Sequence, residues 1–141
     1  RANVAFQPTT LTRFALDGGW QSQKNAPEIY SAGASAQLSN LLRSGVSVSA
    51  RFSYFGNARA GGHYPAIDAA RSFGGMVYVT LGAGTYIYRT ATPATTQANP
   101  WERLRLDLNL ARRFYLSSTV ENFHGDTMRF VRGFVDLGWR F

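Results

Sequence analysis

Hydrophobic and polar residues alternate along most of this chain, most cleanly at its C-terminal end. Val131, Gly133, Val135, Leu137, Trp139 and Phe141 occupy every second position, and Arg132, Phe134, Asp136, Gly138 and Arg140 fall between them. Successive side chains of a strand point to opposite faces, so one face here is apolar and aromatic while the other carries charge of both signs. The same division recurs upstream. Leu104, Leu106, Leu108 and Leu110 oppose Arg103, Arg105, Asp107 and Asn109. Val46, Val48, Ala50, Phe52 and Tyr54 oppose Ser47, Ser49, Arg51 and Ser53, and Phe14, Leu16, Gly18 and Trp20 oppose Arg13, Ala15 and Asp17.

Helical periodicity is nearly absent; its best candidate, residues 66–71, is too short to stand alone. The pattern predicts nine strands, at 2–7, 10–21, 28–38, 44–55, 71–81, 85–91, 101–111, 114–123 and 127–141. Most approach the ~9–11 residues of a tilted membrane-crossing strand. Tight links are expected at 8–9, 39–43, 82–84 and 112–113, alternating with looser polar links at 22–27, 56–70, 92–100 and 124–126. Placing a break at Gly82-Ala83-Gly84 is what makes short and long links alternate. The expected fold is all-β, an antiparallel up-and-down transmembrane barrel with eight to nine strands, formed by residues 1–141 as one domain or as the C-terminal portion of a larger barrel.

Composition alters this picture in three respects. Only 16% of residues are charged while 14% are aromatic, and the mean hydropathy of −0.20 excludes a helical membrane protein but not a barrel, whose strands alternate. The net charge of +7 rests almost wholly on arginine, Lys24 being the one lysine, and the arginines are spread singly rather than clustered, which argues against nucleic acid. Cysteine is absent, so neither a disulfide framework nor a thiolate metal site is available. A chain starting at Arg1 without a leader is expected to be a mature form or a fragment.

Periodicity does not say which face is outside. A soluble ligand-binding barrel would put the charged face outward. Two features favour the reverse. The polar-face residues are often small (Ser31, Gly33, Ser35, Ser47, Ser49, Ser117, Thr119) where a soluble exterior favours long charged side chains. Aromatics also stand near strand ends, at Trp20, Tyr30, Tyr54, Trp101, Tyr115, Trp139 and Phe141, as interfacial girdles do.

A last strand that ends on Phe141, preceded by Trp139, Leu137, Val135, Gly133 and Val131 at alternate positions, resembles the assembly signal of bacterial outer-membrane β-barrel proteins. Gly133 and Gly138 fit the glycines of that pattern, whereas Asp136 interrupts the interval between them. The resemblance implies an outer-membrane location, contact with outer-membrane lipid, recognition by the barrel-assembly machinery through Val135, Leu137, Trp139 and Phe141, and a periplasmic C-terminus. Nine strands ending downward would also begin downward, so an even-numbered barrel would need strands preceding this segment.

No catalytic residue is expected. Neither His63, followed by Tyr64-Pro65, nor His124, followed by Gly125-Asp126, forms the His-x-Ser arrangement of lipid-acting barrel enzymes. Ser117, Thr119 and Glu121 share a face but read as polar filling, and the two histidines with Asp68 or Asp126 make a weak metal set; no cofactor is expected. The arginines carry the functional expectation. Arg13, Arg51, Arg103, Arg105, Arg132 and Arg140 line the polar face, with Asp17, Glu102, Asp107, Glu121 and Asp136 as partners. They form either a ladder of ion pairs filling a lumen or the lining of an anion-favouring path, in a channel or membrane anchor for transport or export. Arg59, His63, Tyr64 and Asp68, in the expected loop at 56–70, are candidates for an outer surface that binds a glycan, a phage or another partner. Alternatives are a lipid-acting barrel enzyme, an outer-loop receptor and a soluble ligand-binding barrel.

Overall fold

A computed structural model describes residues 2–23, 26–41, 43–110 and 114–139. They form one antiparallel sheet of nine strands in which every strand pairs with its neighbours in sequence: β1 Ala2–Thr9, β2 Thr12–Gln23, β3 Ala26–Leu41, β4 Val46–Gly56, β5 Ala60–Phe73, β6 Val77–Ala91, β7 Ala94–Asn109, β8 Phe114–His124 and β9 Arg129–Trp139. No helix occurs among the described residues. Among the described residues β1 pairs only with β2 and β9 only with β8, which leaves two unpaired edges.

The number of strands agrees with the sequence pattern, but four assignments do not. Residues 60–70, expected in a loop, belong to β5, and the helix candidate at 66–71 lies in the same strand. The expected break at Gly82-Ala83-Gly84 is absent; β6 runs unbroken through it. The turn lies instead at Gly74-Gly75, where both residues have positive φ (59° and 71°) and Met76 N donates to Phe73 O at 3.3 Å. Two consecutive positive φ angles define the type I′ turn, whose twist matches that of the flanking strands and which glycine enters without strain. β7 likewise begins at Ala94 rather than after a long link. Links at both ends of the sheet are therefore only two to four residues long, and the expected alternation of short and long ones is not found. At residues 57–59 the Asn57 side chain accepts from the N–H groups of Arg59 and Ala60. At 125–128 the buried Asn99 accepts through Oδ1 from the N–H groups of Thr127 and Met128 and from the Thr127 hydroxyl.

Register gives the sheet its shape. One row of paired residues runs Phe14, Ala36, Ala50, Ile67, Ala83, Glu102, Asn122. It lies two residues after the start of β2, four after that of β4, six after that of β6 and eight after that of β8. The stagger is thus one residue per strand. At a rise of about 3.3 Å and a strand spacing of about 4.8 Å it tilts the strands by about 35°, as closed barrels require.

The sheet is a single layer. Its accessible surface of 10276 Å² is about 40% more than a compact globular chain of this mass exposes. The buried hydrophobic residues are Ala66, Trp101 and Phe123, and the buried polar ones Asn99 and Ser117. All five share the face that carries the charges, by register. Burial is heaviest on this face, as expected of a sheet that curves toward its charged side, although Gly56 is also buried beneath Tyr30 and Tyr54 on the other. The opposite face exposes Val135 at 72%, Leu137 at 70% and Leu16 at 62%. Exposed apolar patches of this extent are rare on water-soluble monomers and mark surfaces that meet a protein or a membrane.

Candidate functional site

Pairing gathers the charged residues of distant segments into one row across the inward-curving face: Arg13, Gln37, Ser49, Asp68, Gly82, Arg103, Glu121 and Arg132. Arg51 and Asp17 stand toward one end of the strands from this row, Arg105, Asp107 and Asp136 toward the other. Nine of the ten described positions expected on the polar face (Arg13, Arg51, Arg103, Arg105, Asp107, Glu121, Arg132 and Asp136, with Asp17 as partner) share it. Arg140 lies outside the described residues. Glu102, expected as a further partner, is on the opposite face, where its carboxylate accepts from Asn122 Nδ2 at 3.1 Å and lies 3.3 Å from His124 Nδ1.

Most of these charges neutralise one another. Arg103 Nη2 donates to Asp68 Oδ1 at 2.7 Å, and Arg51 lies 3.7 Å from the second oxygen of the same carboxylate. Arg105 Nε meets both Asp107 oxygens at 2.9–3.0 Å, and Arg132 Nε donates to Glu121 Oε2. Asp68 reaches Arg103 across β6 by lying over Gly82, where a Cβ would stand 2.3 Å from Asp68 Oδ1. Trp101 lies in the same way over Gly84, where a Cβ would stand 2.8 Å from its Cζ2. The Gly82 and Gly84 signal thus marks close side-chain approach, not a turn.

Aromatic rings frame the ion pairs. Tyr64 stacks on Tyr86 at 4.5 Å and faces Trp101 at 6.0 Å; Phe123 stacks on Phe130 at 4.8 Å. Arg51 stands 5.4 Å over Tyr64, Arg103 5.5 Å over Trp101, and Arg132 5.2 Å over Phe123, distances at which guanidinium and ring attract. The periodicity of β7 and β8 already put Trp101 and Phe123 on this face, but the residue types drew Trp101 and Tyr115 toward a girdle. By register both belong here, whereas Trp20, Tyr30, Tyr54 and Trp139 are on the apolar face. Val135, Leu137 and Trp139 of the assembly signal are exposed on that apolar face as well; Phe141 lies outside the described residues.

The described inward face holds five arginines (13, 51, 103, 105, 132) and five carboxylates (17, 68, 107, 121, 136), and so sums to zero. Links and the apolar face add five arginines (43, 59, 71, 89, 129) against Glu28, Glu102 and Asp126. The rest of the +7 belongs to positions outside the described residues. The arginine excess therefore does not line the described charged face.

The four loop candidates separate. Arg59, in the β4–β5 link, and His63, on the apolar face, lie together at one end of the sheet, whereas Tyr64 and Asp68 are on the charged face, so the four do not form one surface. Ser117, Thr119 and Glu121 do share the charged face, but Ser117 is buried, Glu121 is held by Arg132, and both histidines are on the other face. Among the described residues no three His, Asp or Glu side chains are grouped to hold a metal ion. No family model, curated protein or solved structure matches the chain.

Proposed function

We propose that the chain forms an outer-membrane β-barrel, or the portion of one, that serves as a membrane anchor or channel wall in transport or export and catalyses no reaction. The observation that carries this is the distribution of burial. Burial concentrated on the charged, mutually neutralised face supports a sheet that curves toward that face and leaves its apolar face outside, the reverse of what a soluble ligand-binding barrel needs. Along β6 the outward residues run apolar from Val77 to Ile87, apart from Thr85. Ten residue steps at a tilt of about 35° cover about 27 Å, close to the ~25 Å apolar band of transmembrane barrels.

The ion-pair ladder fits a wall or filled lumen better than an anion-selective lining, since the described inward face carries no excess charge. Both edge strands run in the same direction, because the strand number is odd. Direct closure of β1 on β9 would create a parallel junction, and an all-antiparallel barrel takes an odd number of further strands between them. On this reading the partners are outer-membrane lipid and the barrel-assembly machinery, with an anionic solute, glycan or phage as further candidates. The test is migration on a gel after refolding into detergent. The unheated protein is expected to require detergent and to migrate differently from the boiled form. A monodisperse protein in buffer without detergent would overturn the reading.

A further inference from the structure

On the apolar face, at the end of the sheet opposite Trp139, the tips of β4, β5 and β6 enclose a cleft of about 430 Å³. Gly61 lies in it, where a Cβ would stand 3.2 Å from the Phe55 carbonyl oxygen and 3.8 Å from the Tyr54 hydroxyl. Tyr54 and Arg89 form the walls, His63 stands toward the sheet centre, and Arg59 rises from the adjoining link. Both cations differ from four of the five arginines of the charged face, Arg13 being the exception. Among the described residues no carboxylate pairs with Arg59 or Arg89, whereas Arg51, Arg103, Arg105 and Arg132 all have acidic partners.

The level of the cleft says what it meets. The row through Gly61 runs Trp20, Tyr30, Gly56, Gly61, Arg89, so two aromatic residues of girdle type stand beside the cleft on β2 and β3. Phe52, Ile67 and Ile87 continue the apolar face below. An occupant held here has cations around its polar end and an apolar wall along whatever extends beneath. That is the division of a lipid, with an anionic head group above an acyl chain.

We propose that this cleft binds the phosphorylated head group of a membrane lipid, through Arg59 and Arg89 with His63 and the Tyr54 hydroxyl as further hydrogen-bonding groups. The proposal rests on the membrane reading above. Two guanidinium groups offer planar, forked donors to phosphate oxygens. At about 1 kcal/mol for each arginine at a membrane surface, removing both is expected to lower the preference for a phosphorylated lipid by on the order of tenfold or more.

The experiment uses the full chain, refolded and shown to be heat-modifiable for each variant. The protein is placed in phosphatidylcholine nanodiscs doped equally with a bis-phosphorylated glucosamine lipid and its dephosphorylated form, and the lipid that stays bound on release into detergent is measured by mass spectrometry. Wild type is expected to retain the phosphorylated form in excess, R59Q/R89Q to lose that excess, and R71Q, at the other end of the apolar face, to keep it. Equal retention of both lipids by wild type, or the same loss in R71Q, would overturn the proposal. Displacement of the lipid by millimolar inorganic phosphate would overturn the lipid assignment in favour of a free anion. Failure of the wild type to fold into detergent would instead remove the membrane reading, so the two failures are distinguishable.

Discussion

Asp68 shows what one residue does in this molecule. Its carboxylate takes the strongest bond of the Arg103 guanidinium and also faces Arg51, linking β4, β5 and β7 across the intervening β6. Removing the charge leaves two arginines facing each other on a crowded face. Asp68→Asn is expected to lower stability by about 1–2 kcal/mol, part of the attraction being screened because Arg51 is half exposed. Denaturant unfolding in lipid vesicles measures this, and Asp68→Asn combined with Arg103→Met should recover most of the loss; an unchanged midpoint for the single variant would show that the pair contributes nothing. The partners of Asp68 were not legible in the sequence. Asp68 was expected in a loop, and its contacts with Arg103, thirty-five positions away, follow from register alone. Arg103, Glu121 and Arg132, by contrast, were assigned to the correct face from alternation, because strand parity depends on local sequence only.

At the scale of elements, glycine plays two roles that look alike in the sequence. Gly82-Ala83-Gly84 and Gly74-Gly75 look alike as punctuation, but only the second pair has positive φ angles and turns the chain. The Gly-Gly dipeptide between alternating segments is the stronger hairpin signal and was available in the sequence. The two other glycines serve the neighbours of β6: Asp68 and Trp101 lie across the bare backbone there. β6 has no break where the pattern predicts one, and β5 occupies the predicted loop; the two differences offset, so expected and observed strands both number nine. Gly84→Val tests the role assigned to this glycine. Its branched side chain would displace the buried Trp101, with an expected red shift of Trp101 emission and a loss of unfolding stability. Unchanged emission, with the other tryptophans replaced by phenylalanine, would refute the packing role.

At the scale of the whole molecule, the architecture follows from a regular stagger applied to strands with one apolar and one charged face. The stagger tilts and curves the sheet, and the curvature carries the charged residues inward, where their pairing lets them be crowded. Alternation defines an apolar face but not its direction, because periodicity is unchanged when a sheet is turned inside out; the expectation that it faces outward rests on small polar-face residues and aromatics near strand ends. The three tryptophans report on that direction. Trp20 and Trp139 belong to the apolar face and are mostly exposed, while Trp101 is buried on the charged face at 3% exposure. Fluorescence of single-tryptophan variants in vesicles containing brominated lipid therefore measures the central claim directly. The account predicts strong quenching of Trp20 and Trp139 and little of Trp101; quenching of Trp101 alone, or of none of the three, would contradict it.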